Sequence, residues 1–375
     1  MRLDVLFPSR SLKARLISHY LVILGTGGLV TSVVGSWIVS STIMAEAHRS
    51  VAHDLATARS LYDQRLETAK RTVQLVASGG AIQQHLSSGD TKSLLAYLEP
   101  IRKDAGFDFL TLTDRTGRVT LRVSRPNGAA DDVSSISVVR AALSGKVAAA
   151  TEILSAQLLT NEDPLLAARA HMRFVTTPRA RPPDRIEETS GMVLIAGAPI
   201  RGAGDRILGA LCGGVLVNRN FGIVDRVWEL VFRGYRFDNQ DVGSVTIFQN
   251  DLRVATTITN FAGERAVGTL SSADVYDRVF GQGQGFRGRA FVVRDWYISA
   301  YDPILNYDGK IIGMLYVGLL EKAYTSTRDR VILSFFGLAG IGFIFIIGVT
   351  YYEIRKITLP IARMVAATRS IAAGR

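Results

Sequence analysis

The chain has 375 residues, a formal net charge of +11 and a single cysteine, Cys212. A chain of this length can hold two or three domains of about 100–200 residues each. One cysteine excludes an intrachain disulfide framework and a metal site built from thiolates. The positive charge does not predict nucleic-acid binding, because much of it lies at the two ends and no basic stripe interleaved with aromatic residues occurs.

Two uncharged apolar runs, residues 16–45 and 331–351, are each long enough to cross a bilayer, which takes roughly 20 residues. Basic residues precede the first run (Arg2, Arg10, Lys13 and Arg15) and follow the second (Arg355, Lys356, Arg363, Arg369 and Arg375). Short basic flanks stay in the cytoplasm, next to anionic lipid. We therefore predict two membrane spans, cytoplasmic termini and an extracytoplasmic region at residues 46–330.

A cleavable signal peptide is the alternative for the first run. Ala45-Glu46-Ala47 has the small-x-small form of a cleavage site. The apolar stretch before it is about twice the 7–15 residues of a usual signal-peptide core. This length favours a membrane anchor.

A long helix is predicted to continue beyond the first span, because residues 36–78 contain neither Gly nor Pro. Apolar residues at three- and four-residue steps form a stripe on this stalk helix: Val51, Leu55, Ala58, Leu61 and Tyr62. The stripe needs a partner surface. The pattern does not choose between the chain's own sheets and a second copy of the helix in a dimer.

The chain ahead of the second span reads WYISAYDPILNYDGKIIGMLYVGLL over residues 296–320. Two apolar runs flank Asp308-Gly309, a strong turn signal, so an antiparallel hairpin is predicted. The pattern also occurs earlier at a constant offset: Pro199-Ile200, Ile207, Gly209, Leu211 and Gly214 recur as Pro303-Ile304, Ile311, Gly313, Leu315 and Gly318. At a larger offset, Thr111 matches Thr246 and Arg118-Val119 matches Arg253-Val254. We interpret this as two copies of one domain in tandem.

Weaker local signals fill in the rest of the chain. Helices are predicted from the N-cap Asp90 to about residue 103, with an interruption at Pro100, and at residues 137–143, 218–236 and 272–280. Hairpins are predicted at residues 107–123 and 244–257, and a loop at the Pro- and Arg-rich residues 177–183. Residues 152–175 receive no assignment.

Several stretches together resemble a double Cache sensor of bacterial receptors. They are TIFQNDLRVATTI (246–258), GERAVGT (263–269), VFGQGQGF (279–286), and YISAYDPI with DGKIIGMLYVGL (297–319). The resemblance is to the variety in which two Cache types are fused. Past the second span, Pro360 and a helix-ending Gly374 resemble the first helix of a HAMP signal relay.

The resemblance implies an α/β (α+β) fold: two tandem PAS-like Cache modules with antiparallel sheets on a long stalk helix, flanked by two transmembrane helices. The predicted boundaries are a cytoplasmic flank (1–15), a first transmembrane helix (16–44), the stalk helix (45–88), a membrane-distal module (89–217), a connecting helix (218–242), a membrane-proximal module (243–320), a juxtamembrane helix (321–330), a second transmembrane helix (331–352) and the start of HAMP (353–375). It also implies a homodimer through the stalk and HAMP helices in a bacterial inner membrane.

No catalytic, cofactor or metal site is predicted. The segment Gly283-Gln284-Gly285-Phe286-Arg287-Gly288 matches GxGxxG, but it follows a predicted helix and precedes a strand, the reverse of a dinucleotide site. His48 and His53 are five residues apart, not at the i, i+4 spacing of a helical metal pair. No HExxH motif, nucleophile elbow or P-loop occurs.

Polar groups on the strands are the candidate ligand residues. In the proximal module they are Arg253, Thr256, Thr257, Arg265, Arg294, Tyr297, Ser299 and Tyr301. An arginine suits a small carboxylate, because its planar fork donates two parallel hydrogen bonds. The alternative is that the tyrosines are sheet packing and the arginines a solvated face. In the distal module the candidates are Arg118, Arg122, His171 and Arg173.

Function is predicted in two classes. The first is a sensory receptor region in which a small metabolite outside the membrane biases a helix that crosses it. The parent protein is then a sensor histidine kinase, with a chemotaxis receptor or a cyclic-dinucleotide enzyme as alternatives. The second class is a scaffold whose external region binds a protein. The chain contains no residues for phosphoryl transfer, so it is predicted to be non-enzymatic itself.

Overall fold

The computed structural model describes residues 12–128, 130–260 and 262–372. The helices are α1 (Leu12–Ser78), α2 (Gly80–Ser88), α3 (Thr91–Asp104), α4 (Ser137–Leu143), α5 (Ala156–Glu162), α6 (Pro164–Ala170), α7 (Gly222–Phe232), α8 (Ala273–Tyr276), which continues as a π-helical turn (Asp277–Gly281), and α9 (Glu321–Ala372). A short 3-10 turn spans Ala203–Asp205. Most of the predicted cytoplasmic flank and the last residues of the predicted HAMP helix lie outside the described residues.

The strands of the distal half are β1 (Phe109–Asp114), β2 (Val119–Arg122), β3 (Ala148–Leu154), β4 (Met172–Arg173), β5 (Glu187–Glu188), β6 (Gly191–Arg201) and β7 (Ile207–Leu216). Those of the second half are β8 (Arg236–Phe237), β9 (Gln240–Asp241), β10 (Gly243–Gln249), β11 (Leu252–Thr256), β12 (Phe286–Val292), β13 (Asp295–Leu305) and β14 (Ile311–Leu320). All of the paired strands run antiparallel in these two halves.

The described residues form two compact units. One is Ala47–Lys322, and the other consists of the parts that flank it, Met1–Glu46 and Ala323–Arg375. Two helical stretches are long and apolar enough to cross a membrane, Val22–Ser78 and Glu321–Tyr352. The unit formed by the flanking parts contains the most apolar part of each stretch. In it, Gly25 and Gly35 of α1 lie against the aromatic rings of Phe343 and Phe335 of α9.

Close contact between the two apolar helices depends on small residues. A Cβ atom on Gly25 would lie 3.1 Å from the ring of Phe343, and one on Gly35 would lie 3.1 Å from the ring of Phe335. Small residues of this kind let neighbouring transmembrane helices approach closely.

Each half of the larger unit contains one five-stranded antiparallel sheet. The strand orders are β2-β1-β7-β6-β3 and β11-β10-β14-β13-β12, so the two sheets have the same topology. Helices cover the distal sheet on both faces: α1, α2 and α3 contribute to one hydrophobic cluster, and α4, α5 and α6 to another. The α+β class and the tandem PAS-like modules predicted from the sequence are confirmed.

The closing hairpin has the same register in both modules. Ile195 lies opposite Gly214 in the first copy, and Ser299 lies opposite Gly318 in the second. The pairing shifts by one residue at the same point, after Ile200 and after Ile304. The constant offset seen in the sequence therefore corresponds to equivalent positions in the structure.

The sequence match between Arg118 and Arg253 is wrong by one position. Thr113 pairs with Val119 in the first module, and its equivalent Phe248 pairs with Arg253 in the second. The turn between these strands is one residue shorter in the second module. Arg253 therefore lies on a strand, at the place of Val119, whereas Arg118 is an exposed residue directly before β2 that forms a bridge with Asp132.

The apolar stripe of the stalk helix packs within the same chain. Val51, Leu55, Ala58 and Tyr62 are all buried in the single copy. The hydroxyl of Tyr62 lies 2.6 Å from the Thr151 hydroxyl of β3. The sequence pattern allowed either the chain's own sheets or a second copy of the helix as the partner of this stripe. The structure shows packing within the chain, so these four residues are not exposed for contact with a second chain.

Two details of the predicted helices are corrected. Helix α3 starts at the predicted cap, where the Asp90 carboxylate accepts the amide of Ser93 at 3.1 Å, but it continues through Pro100 without interruption. The predicted juxtamembrane helix and second span are parts of one continuous helix, α9, which starts directly after β14.

Candidate functional site

One face of the proximal sheet carries the polar candidates of that module. Residues directly opposite each other on paired strands share a face, and one such row crosses all five strands: Thr256, Thr246, Tyr316, Tyr301 and Phe286. The neighbouring row consists of small residues: Ser244, Gly318, Ser299 and Gly288. Tyr297, Phe248 and Arg253 share the same face because side chains alternate along each strand.

Apolar residues from outside the sheet close over this face. The cluster includes Val275 on α8, Val279 on the π-helical turn, and Ile258 and Ala266 from the segment between β11 and α8. The rings of Tyr301 and Tyr316 are 4.6 Å apart, centroid to centroid. The face is thus the core of the proximal module, with polar groups inside it.

Arg253 is the exceptional residue of this core, since only 1% of it is exposed. Its Nη1 donates to the Thr269 hydroxyl, and its guanidinium lies 4.9 Å from the centre of the Phe248 ring. Its Nε has no hydrogen-bond partner. Among the described residues, no carboxylate forms an ion pair with it.

The surroundings of Arg253 disfavour its charge. Burial lowers the pKa of the Arg253 guanidinium below its ordinary value, while the phenols of Tyr301, Tyr316 and Tyr297 partly oppose this. A buried charge without a counter-ion is costly, because the energy of its hydration is lost and not replaced. An anion that reached this guanidinium would supply the missing partner.

Tyr316 lies over the row of small residues. Its hydroxyl is 3.0 Å from the Ser244 hydroxyl, and a Cβ on Gly318 would lie 2.0 Å from it. Burial raises the pKa of Tyr316 to about 12, so it remains a neutral hydrogen-bonding group. Burial also raises the pKa of Tyr297 and of Tyr301.

Four of the eight predicted proximal residues share the face with Arg253: Thr256, Tyr297, Ser299 and Tyr301. Thr256 already bonds to Thr246, with 2.6 Å between the two hydroxyls. The Ser299 hydroxyl donates to the Tyr297 carbonyl at 3.3 Å. The structure therefore gathers Arg253 and these residues into one buried cluster.

The other three predicted residues lie elsewhere. Arg265 forms a two-pronged ion pair with Asp225 of α7, at 2.8 and 3.0 Å, and is about one-third exposed. Arg294 lies beside Asp295 at the β12–β13 turn, 3.3 Å away. The Thr257 hydroxyl accepts the amide of Val245 at 3.0 Å, and so acts within the sheet.

The buried arginine of the distal module, Arg122, has carboxylate partners within the chain. Arg122 is 2% exposed and contacts two carboxylates, Asp131 at 2.5 Å and Glu162 at 3.1 Å. Thr111 donates to Glu162 at 2.6 Å, and the Asn161 amide donates to Asp131 at 2.8 Å. Arg122 is therefore already neutralised by the chain, so it offers no free charge to an anionic ligand.

The remaining distal candidates are on the surface. Arg118 is exposed and donates to the Ala130 carbonyl at 3.2 Å. His171 lies 2.9 Å from Glu187 in a half-exposed pair. Arg173 is an exposed residue of β4. The structure does not bring these three residues together with Arg122.

Two members of the proximal cluster were missed by the sequence analysis. Tyr316 could have been found by pairing the hairpin outward from Asp308-Gly309, which places it opposite Tyr301. Thr269 lies in an irregular segment, where no periodicity indicates a facing direction.

The described residues contain no group of three or more His, Cys, Asp or Glu side chains that could hold a metal ion. The glycines of the GxGxxG match lie after the π-helical turn and run into β12. A dinucleotide site needs a strand before the glycines and a helix after them, and the order here is the reverse.

Comparison with protein families gives two matches. Residues 44–227 match a model described as a double sensory domain of two-component sensor kinases, dCache_3. Residues 215–331 match a model described as single cache domain 3, sCache_3_3. No curated protein gave a significant match.

Solved sensor domains are similar in fold at low identity. The periplasmic domain of Vibrio cholerae LuxQ is 12% identical, with 72% of this chain and 99% of that chain covered and a TM-score of 0.42. The sensor domain of the V. cholerae histidine kinase DctB is 12% identical, with 72% and 95% covered and a TM-score of 0.42. The ligand-binding domain of the Pseudomonas aeruginosa amino acid chemoreceptor PctB, solved with L-Arg, is 15% identical, with 75% and 96% covered and a TM-score of 0.37.

The fold and the family matches define an extracytoplasmic sensor module of a membrane receptor. The chain contains a double Cache sensor domain, with the two modules in tandem. Cache domains are ligand-binding modules without catalytic activity of their own.

Proposed function

We propose that this chain is the sensing and signalling part of a two-span bacterial receptor, and that its proximal module binds a small monocarboxylate at Arg253. The observation that carries the proposal is the buried guanidinium without a carboxylate partner among the described residues. Nη1 is bonded to Thr269, while Nε has no partner. The edge formed by Nε and Nη2 is therefore the part of the fork that suits the two oxygens of a carboxylate.

The charge of the site favours an acid without an amino group. Of the positions that share the face with Arg253 on the five strands, the one carboxylate is Asp295, the first residue of β13, and it lies 3.3 Å from Arg294. An α-ammonium group at Arg253 would find no carboxylate on this face except Asp295, which Arg294 already pairs, and burying the ammonium unpaired would be costly. The phenols of Tyr297 and Tyr301 provide neutral hydrogen bonds to a carboxylate, and Phe248 and Met314 provide apolar contact for a short chain.

Propionate and L-alanine form a matched pair of probes, because they differ only by the amino group. We expect millimolar propionate, but not L-alanine, to raise the melting temperature of the full chain in lipid nanodiscs. Acetate tests the length of the apolar part, and lactate and pyruvate test a hydroxyl or keto oxygen next to the carboxylate. Equal responses to propionate and L-alanine would contradict the monocarboxylate assignment, and no response to any of the acids would contradict the site.

For the output we favour a sensor histidine kinase, because the matched family model describes sensors of two-component kinases. A chemotaxis receptor and a cyclic-dinucleotide enzyme are the alternatives. Signal transfer would run through β14 into α9, which starts at Glu321 directly after the strand ends at Leu320, and then into a HAMP relay. The sequence beyond residue 375 tests the output: a phosphoacceptor His and an ATP-binding domain support the kinase, and an uninterrupted heptad rod supports the chemoreceptor.

A further inference from the structure

A loop of the distal module reaches across to the proximal module. It is the Pro- and Arg-rich stretch of residues 174–186, called the strap below, and it connects β4 to β5. The pairing of Met172 with Glu188 and of Arg173 with Glu187 closes its base. The strap is therefore anchored in the distal module at both ends.

A short segment of the proximal module lies along the outer edge of β11. It comprises residues 268–273 and is called the flanking segment below. Gly268 donates its amide to the Arg253 carbonyl at 2.9 Å, and Arg253 donates its amide to the Thr269 carbonyl at 2.9 Å. Since Thr269 also accepts from the Arg253 guanidinium, this segment determines the position of both the backbone and the side chain of Arg253.

The strap bonds to the other side of the flanking segment. The amide of Val175 donates to the Gly268 carbonyl at 2.8 Å, and the amide of Ala273 donates to the Arg179 carbonyl at 2.8 Å. The Thr177 hydroxyl donates to the Leu270 carbonyl at 3.2 Å. The flanking segment is thus held between β11 on one side and a part of the distal module on the other.

Gly268 joins the two sides at one residue, because its amide bonds to β11 and its carbonyl bonds to the strap. Its φ of +84° is in the left-handed region that favours glycine. A Cβ on it would lie 2.7 Å from the Arg173 carbonyl oxygen. The backbone of the distal module therefore approaches here as closely as a glycine allows.

Two strap arginines add side-chain anchors. The Arg179 guanidinium lies 4.5 Å from the ring centre of Trp296 on β13. The Arg181 guanidinium lies 4.2 Å from the ring centre of Tyr276 on α8. Cation–π contacts of this length are attractive, so the strap is fixed on either side of the flanking segment.

We propose that the strap positions Thr269, and through it Arg253, so that the distal module completes the ligand site of the proximal module. This inference rests on the proposed function of Arg253. Thr177, Val175 and Arg179 are then positioning residues of that site, although they belong to the other module. A ligand at Arg253 would also strengthen the contact between the modules, because binding and positioning are linked through the same hydrogen bonds.

The test removes two of the strap's hydrogen bonds without straining the backbone. Thr177→Val keeps the shape of the side chain and removes the bond to Leu270. Ala273→Pro removes the amide that bonds to Arg179. Ala273 is the first residue of α8, where proline is tolerated, and Ser272 before it has φ −69° and ψ 153°, the extended conformation that proline requires of its predecessor.

The distal module offers a matched control for each change. Thr120→Val removes a hydroxyl bond of the same length, 3.2 Å, to the Leu112 carbonyl. Ala156→Pro places proline at the first residue of α5, after Ser155 with φ −65° and ψ 157°. The control pair Thr120→Val/Ala156→Pro therefore makes the same two types of substitution away from the strap.

Propionate binding to the full chain in nanodiscs is measured by titration calorimetry, and amide exchange at Gly268 and Arg253 by mass spectrometry. Two hydrogen bonds correspond to a Kd that is about 5- to 150-fold higher. We expect this rise, together with faster exchange of both amides, in Thr177→Val/Ala273→Pro and not in the control pair.

Unchanged propionate affinity in Thr177→Val/Ala273→Pro would overturn the strap's positioning role and leave the proposed function intact. The same weakening in both pairs would also overturn it, because the effect would then be a general loss of stability. No propionate binding by the unaltered chain would overturn the proposed function itself, and the inference with it.

Discussion

Replacing Arg253 by methionine tests whether this buried charge is present for a ligand. Methionine has a similar volume, so Arg253→Met removes the charge without leaving a large cavity. The change removes the hydrogen bond to Thr269 and the contact with Phe248, which are together worth about 1–3 kcal/mol. It also removes the cost of a desolvated charge that lacks an ion-pair partner among the described residues, which amounts to several kcal/mol.

The second effect outweighs the first. We therefore expect the ligand-free Arg253→Met chain to be at least as stable as the unaltered chain. Replacing buried ionic groups by apolar ones of similar volume is often neutral or stabilising, by about 1–4 kcal/mol. The propionate affinity of the Arg253→Met chain should fall about 10- to 150-fold. This is the equivalent of losing one charge-assisted hydrogen bond of about 1.5–3 kcal/mol.

Arg265→Met is the matched control, since Arg265 belongs to the same module but pairs with Asp225 near the surface. A partly exposed pair of this kind contributes about 1 kcal/mol or less. Thermal unfolding of Arg265→Met is monitored by tryptophan fluorescence with and without propionate. We expect a small loss of stability and an unchanged rise in melting temperature on adding propionate. A full propionate response in Arg253→Met, or a loss of stability in it larger than about 3 kcal/mol, would refute the reasoning.

Three further predictions concern topology, the stalk and the distal network. A reporter that is active only in the cytoplasm should work when fused after Arg375 and fail when inserted near Gly191, since both flanks are basic; activity at Gly191 would contradict two spans. In a Cys212→Ser background, a cysteine at buried Leu55 should react with maleimide far more slowly than one at exposed Arg49, and equal rates would contradict the packing of the stripe. Burial raises the pKa of the Glu162 carboxyl above its ordinary 4.5, because the folded chain favours the protonated form. The carboxyl therefore stabilises the fold fully below pH 4.5, and this stabilisation is lost as the pH rises through the raised pKa. The melting temperature of Glu162→Gln relative to the unaltered chain should therefore increase from pH 5 to pH 8, and a constant difference would contradict it.

The sequence predicted those parts of the site that follow strand periodicity. Tyr297, Ser299 and Tyr301 alternate along one strand, and the structure places them on one face. The strand pattern also predicts Arg253 on a strand of the same module. The single-residue error in matching it to Arg118 arose because the two turns differ in length, which the repeat pattern does not reveal.

Side chains outside the regular strands could not be placed from sequence. Arg265 looked equivalent to Arg253 as a cation of the proximal module, yet its segment is irregular and turns it towards Asp225. Arg122 was a candidate of the same type, but its partners, Asp131 and Glu162, come from a loop and a helix. Nothing in the local sequence around Arg122 indicates that two carboxylates approach it.

The contrast between Arg122 and Arg253 indicates how the two modules have diverged on one frame. Both arginines are buried beside equivalent first strands, β1 and β10. In the distal module the chain itself supplies the negative charge, so that module is complete without an anion. In the proximal module the chain supplies neutral phenols and hydroxyls around the arginine instead, and one strand of this face, β14, continues directly into α9. If the proximal module binds a ligand at Arg253, as we propose, a change there would have a short covalent route into α9, and the distal module would act on it through the contacts of the strap.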